Sequence, residues 1–126
     1  MEIPLIVGVS PTLGIRGLLA TRDIAIGEVI ECCPVVLLPA AQEPLIEQTA
    51  LGNYYFRWDD AYYAFSFGYG SLYNHSYHAN VLYERDFERK AITFTAVKPI
   101  QCGEEMTVNY NGDPDNQTLL DPAVWW

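Results

Sequence analysis

Basic residues are scarce in this chain. Seven Lys and Arg stand against sixteen Asp and Glu, which gives a formal net charge of −9 over 126 residues. Direct nucleic-acid binding needs a cationic face to neutralise phosphates, so that class of function is not expected. An acidic surface instead favours solubility and attracts cationic partners. Cysteine is also sparse. Cys32 and Cys33 are adjacent and Cys102 is distant, a spacing that makes neither a disulfide framework nor a CxxC zinc pair. Reduced thiols in a cytoplasmic setting are the simplest reading. If the 32–33 segment is a strand, its two thiols point to opposite faces. No window reaches the roughly 18 consecutive apolar residues of a membrane span, so no membrane partner is expected. Met1 to Pro11 shows no basic segment and no cleavage-like site, so no secretion signal is expected either. No low-complexity linker divides the chain, and its length suggests one domain covering 1–126.

Apolar and aromatic residues are plentiful. Half the residues are hydrophobic, enough to build a core. Turn residues punctuate the chain about every ten positions, with β-branched and aromatic runs between them, the pattern of many short strands. Strands are predicted at Ile3–Val7, Leu18–Ala20, Val29–Leu38, Tyr54–Trp58, Tyr63–Phe67, Val81–Glu84, Ile92–Ala96 and Thr107–Tyr110. The charged segment between Glu84 and Ile92 reads as the turn of a hairpin. Glu43 to Leu51 is the best helical segment. One internal echo stands out. Ala20-Thr-Arg-Asp-Ile-Ala-Ile-Gly-Glu28 is matched by Ala96-Val-Lys-Pro-Ile-Gln-Cys-Gly-Glu104. Each copy reads as a strand end, a basic residue, an apolar anchor and a Gly-Glu turn, where glycine supplies positive φ.

The stretch Ser71 to Tyr83 concentrates two Asn, two His and three Tyr beside apolar sequence. Polar groups this dense are costly to bury without partners. His75 and His78 lack further ligands at metal spacing, so no metal is expected.

Four blocks carry a resemblance. They are GIRGLLATRDIAIGEVI (14–30), FGYGSLYNHSYHANV (67–81), ITFTAVKP (92–99) and GEEMTVNY (103–110). In this order they resemble the SET domain of protein-lysine methyltransferases, the second block matching Asn-His-Ser-x-x-x-Asn and the fourth Glu-Glu-Leu-Thr-x-x-Tyr. The family's first loop glycine is Ile15 here, with Gly14 one place earlier. The length is similar to that of minimal viral and bacterial members without cysteine-rich flanking modules.

The resemblance implies a mainly β fold of several small curved sheets, with a short helix and a knot-like C-terminal crossing. It implies methyl transfer from S-adenosylmethionine to the ε-amine of a lysine. It makes Tyr110 the catalytic tyrosine, also near the cofactor. It places Ile15, Arg16, Gly17, Leu18, Asn74 and His75 at the cofactor, with Arg16 able to reach a carboxylate. Tyr83, Tyr54 and Phe67 are assigned to a substrate channel, with Tyr55 competing for the place of Tyr54. Trp125 in the terminal pair is a candidate cover for the cofactor's adenine. Glu104 and Glu105 read as a turn brace. A basic, lysine-containing protein or peptide suits the acidic chain, and a homodimer stays open. The second reading is a SET-fold module that binds without useful turnover.

Overall fold

The computed structural model describes residues 2–120. Among these residues, nine strands form two sheets. β1 (Leu5–Val9), β2 (Arg16–Ala20), β9 (Glu105–Val108) and β6 (Asn74–His75) make a four-stranded sheet in the order β1-β2-β9-β6. β4 (Tyr55–Arg57), β5 (Tyr62–Ser66), β3 (Val29–Pro39), β8 (Ala91–Ala96) and β7 (Val81–Asp86) make a five-stranded sheet in the order β4-β5-β3-β8-β7. β3 organises the second sheet. Its first half pairs with β8 and its second half with β5, both antiparallel, and the register slips between Val29 and Glu31. Alternation along β3 buries Cys33 and exposes Cys32, as period-2 geometry requires.

The five-stranded sheet curls until its two edges meet. Arg85 on β7 donates to the Trp58 carbonyl just beyond β4 (2.8 Å). The rings of Phe56 and Tyr83, one from each edge, lie 5.1 Å apart. Between the sheets sits a core of Leu18, Ile24, Val81, Ile92, Phe94, Ile100, Met106 and Val108, all fully buried. Tyr73 stacks on Phe94 at 4.4 Å with nearly parallel rings.

The echoed segments meet face to face. Ile24 and Ile100 exchange both backbone hydrogen bonds (2.8 and 2.9 Å). The Gly27 N–H donates to the Ala96 carbonyl, and the Gly103 N–H donates to the Ala20 carbonyl, each at 2.8 Å. Both glycines adopt positive φ, 84° and 87°. The two halves of the echo are therefore equivalent partners in one local two-fold.

Several elements differ from the sequence expectation: β1 lies two residues later than Ile3–Val7, β2 starts two residues before Leu18, and three further differences have local causes. The helix α1 runs only Glu43–Glu47, after a 3-10 turn at Ala40–Gln42. Thr49 Oγ1 bonds the Ile46 carbonyl at 2.7 Å and diverts the chain into turns. β9 starts at Glu105 and ends at Val108, two residues early, because Asn109 opens a turn through Gly112 (φ 100°). β6, only Asn74–His75, was not foreseen. It is polar, carries no apolar alternation, and exists because it pairs in parallel with Thr107 and Val108.

Candidate functional site

Tyr110 lies two residues beyond β9, where the two sheets meet. Its backbone N–H donates to Nδ1 of His75 (3.0 Å) and its hydroxyl donates to the Tyr73 carbonyl (2.9 Å). The parallel pairing of β6 with β9 makes both bonds reachable. Burial, followed by the neighbouring Tyr54 and Tyr83 phenols, pushes the Tyr110 pKa up to about 12. The phenol therefore stays protonated at neutral pH, its proton directed at a carbonyl.

On one side of Tyr110 opens a cavity of about 820 Å³ walled by Tyr54, Tyr55, Phe56, Tyr83 and Tyr110. Tyr83 comes from β7, and its hydroxyl donates to the Tyr110 carbonyl at 3.4 Å. Burial raises its pKa. Tyr54 and Tyr55 face different neighbours. The Tyr54 hydroxyl accepts from Arg16 Nη2 (3.0 Å), and the Arg16 guanidinium lies over its ring. Tyr55 donates its hydroxyl to Glu47 of α1, and its ring packs edge-on to Tyr63. Phe67 does not join this wall. It follows the buried Ser66 at the end of β5, so alternation turns its ring outward, where it is 54% exposed. Phe56, on the strand facing β7, supplies the aromatic surface expected of it. Arg57, Arg85, Glu84 and Asp113 mark the rim.

On the other side lie Ile15 to Leu18, Asn74 and His75. Ile15 is exposed, and its carbonyl accepts from the Ser10 N–H (2.7 Å). The Leu18 side chain is fully buried in the core, so only its backbone is left to meet a ligand. Asn74 donates through Nδ2 to the Arg16 carbonyl (2.8 Å) and to Glu105 (2.9 Å). Gly17 occupies the gap between them. A Cβ there would stand 2.6 Å from Glu105 Oε2 and 3.1 Å from Asn74 Nδ2.

The SET domain family model matches residues 15–111. The chain belongs to the SET-domain family. A Schizosaccharomyces pombe relative, the histone-lysine N-methyltransferase specific for H3 lysine-37, is 28% identical over 96 residues. That match covers 75% of this chain and 65% of the relative, so the chain spans under two thirds of that protein. Among solved structures, a Plasmodium falciparum protein provisionally named a histone methyltransferase aligns with TM-score 0.70 at 27% identity, over 87% of this chain and 95% of that one. CpSET8 from Cryptosporidium aligns with TM-score 0.64 at 26% identity, over 86% and 57%. The Chaetomium thermophilum Polycomb Repressive Complex 2, in an autoinhibited conformation bound to S-adenosylmethionine, shares the fold at TM-score 0.72 and 22% identity, over 87% and 15%.

Several residues that build this SET domain's site escaped the sequence reading. Glu31 is buried on β3 and accepts from the Tyr73 hydroxyl (2.6 Å), the Cys33 thiol (2.9 Å) and the Tyr69 N–H (3.2 Å). It thereby anchors the residue whose carbonyl receives the Tyr110 proton. Burial, then this carboxylate, pushes the Cys33 thiol up to about 12, which leaves it unreactive. The available signal was an acidic residue inside an apolar run, Val-Ile-Glu-Cys-Cys. Asn80 clamps β9 at two points, donating to the Glu105 carbonyl and accepting from the Thr107 N–H, each at 2.9 Å. Asn109 donates to the Asn116 carbonyl (2.7 Å) and sets the turn that follows Tyr110. The acidic pair divides its work. Glu104 braces the turn by accepting from the Gln101 N–H (3.0 Å), whereas Glu105 is buried and turns inward to Ser10 and Asn74. Trp125 lies outside the described residues. No helix among the described residues is long and apolar enough to cross a membrane.

Proposed function

We propose that this SET domain transfers a methyl group from S-adenosylmethionine to the ε-amine of a lysine in a protein. The observation that carries the reading is the position of Tyr110. It joins the 73–75 segment through two hydrogen bonds and forms part of the wall of an aromatic cavity. The family and its lysine-methylating relatives support the reading.

The residues on the loop side fit the cofactor. Gly17, where a Cβ would collide with Glu105 and Asn74, lets the loop backbone lie directly against Asn74. Asn74 Oδ1 takes no hydrogen bond from a described residue. Because His75 Nδ1 accepts, the ring proton of the neutral side chain sits on Nε2, which is buried without a partner among the described residues. Arg16, Gly17, Asn74 and His75 would hold S-adenosylmethionine, which supplies an electrophilic methyl on a sulfonium sulfur. Positioning is most of the remaining task.

The protein must also present a neutral amine. A free lysine at pH 7 pays roughly 4–5 kcal/mol to lose its proton. Burial between the faces of Tyr54, Tyr83 and Phe56 lowers the lysine pKa, because an apolar environment disfavours the ammonium. Tyr110 is not a base. Its proton points at the Tyr73 carbonyl, and its ring stands in the cavity wall, where it would orient the incoming amine. A basic, histone-like tail is the substrate class we propose, supported by the charge of −9 and by the relative's histone specificity.

Calorimetry with S-adenosylmethionine, followed by labelled methyl transfer to a panel of basic peptides, tests the reading. Both binding and transfer are expected, and binding without transfer would leave a binding module. Tyr110→Phe should cut turnover by about 100-fold, the scale of losing one polar group that acts in the transition state, with cofactor affinity changed by no more than a few-fold. Full activity in that variant removes Tyr110 from the mechanism.

A further inference from the structure

Glu105 is a buried carboxylate at the edge of the loop-side site, 9% exposed, and neither of its partners is a cation. One oxygen accepts from the hydroxyl of Ser10 at 2.5 Å, and the other accepts from Nδ2 of Asn74 at 2.9 Å. Ser10 is itself buried and organises the loop that precedes β2. Its carbonyl accepts from the Gly14 N–H (2.9 Å), its Oγ accepts from the Leu13 N–H (3.1 Å), and its N–H donates to the Ile15 carbonyl. A single side chain thus ties the 10–15 loop to Asn74.

The chemistry of the Asn74 amide gives this tie a direction. A primary amide has one donating and one accepting end, and a half-turn about its last bond exchanges them. Both groups that meet Nδ2, the Arg16 carbonyl and the Glu105 carboxylate, are pure acceptors. The turned amide would set Oδ1 against both, a repulsive arrangement that leaves two acceptors unpaired. The amide is therefore locked with its donor inward. Its acceptor, Oδ1, is left for a ligand and suits a cationic or N–H donor.

We propose that Glu105 is a positioning residue that fixes the Asn74 amide, so that Oδ1 selects the α-ammonium of the cofactor's amino-acid moiety. The inference rests on the methyltransferase reading above. Glu105 does not touch the ligand. Its effect passes through Asn74 and the Ser10-held loop, and concerns the amino-acid end.

That restriction supplies the test, which is calorimetric and needs no turnover. The probes are S-adenosylhomocysteine, which carries the ammonium, and 5′-methylthioadenosine, which lacks the amino-acid moiety. Glu105→Gln replaces two pure acceptors by an amide that can also turn its N–H₂ to Asn74, and so weakens the lock. It should weaken S-adenosylhomocysteine binding about tenfold, the scale of one hydrogen bond to a charged group. It should leave 5′-methylthioadenosine within about twofold, since that probe makes no use of Oδ1. Asn74→Asp alone sets two carboxylates together and should also bind S-adenosylhomocysteine poorly. In the double variant Asn74→Asp/Glu105→Gln, the glutamine amide can donate to the aspartate and relieves the carboxylate pair, although the Arg16 carbonyl stays unpaired. The double variant should bind S-adenosylhomocysteine more tightly than Asn74→Asp alone.

Equal weakening of both probes by Glu105→Gln, or losses that simply add in the double variant, would overturn the proposal. If Glu105→Gln does not fold, the comparison of Asn74→Asp with the double variant decides alone. Failure of the unsubstituted protein to bind S-adenosylhomocysteine overturns the methyltransferase reading itself, an outcome separate from the others.

Discussion

His75 works through its ring. Nδ1 accepts from Tyr110, and Tyr77 packs edge-on against the ring at 4.4 Å. Burial lowers its pKa, and protonating Nδ1 would set an N–H against the Tyr110 N–H. The unfolded chain, with His near 6.5, therefore binds the proton first. The associated stability is fully present above about pH 6.5 and is lost as pH falls through that value toward the folded-state pKa. Denaturant midpoints measured between pH 7.5 and 5.5 should decline, and His75→Gln should flatten that slope. Most of the dense polar stretch that contains His75 proves to be partnered, His75 Nε2 and Asn74 Oδ1 being exceptions among the described residues. Tyr73 bonds Glu31, Asn74 bonds Arg16 and Glu105, the Tyr77 hydroxyl accepts from the Leu120 N–H, and Asn80 clamps β9. These partners are 25 to 58 residues away in sequence, which is why the residue types were legible as a site and their bonds were not.

At the scale of elements, the echoed turns carry the two sheets' connection. Gly27 and Gly103 have matching φ, matching N–H acceptors, and open space where a Cβ would go. Replacing either by Ala meets no clash and only the backbone penalty of the left-handed region, about 1–2 kcal/mol. Gly27→Ala and Gly103→Ala should lower the unfolding free energy by similar amounts in urea titrations. A several-fold difference between them would show that the two turns are not equivalent. The repeat itself was readable because both copies keep the spacing from strand end to glycine. That they pair with each other was not, since nothing local to either copy names its partner. β6 was invisible for the same reason. Two polar residues form a strand only because β9 lies beside them.

At the scale of the molecule, the core and the site are one structure. Phe94 is fully buried on β8, stacks on Tyr73, and lies near Tyr83 and Phe56. Phe94→Ala should cost about 3–5 kcal/mol of stability, a large share of the 5–15 kcal/mol typical of a domain. It should also loosen the cavity wall, because Tyr73 holds the Tyr110 hydroxyl. Chemical denaturation reads the first effect, and the methyl-transfer assay at a temperature where the variant stays folded reads the second.

The sequence by itself determined the strand-rich class, the order of most strands, the acidic surface and the identity of the motif residues. Each of these is written in local spacing and residue type. Only the tertiary structure decided that Phe56 rather than Phe67 walls the cavity, that Glu105 turns inward while Glu104 braces a turn, and that Glu31 stands behind Tyr73. These outcomes depend on which face of a strand meets another strand distant in sequence. A one-residue change in facing reverses a side chain's surroundings without altering the pattern from which it was read.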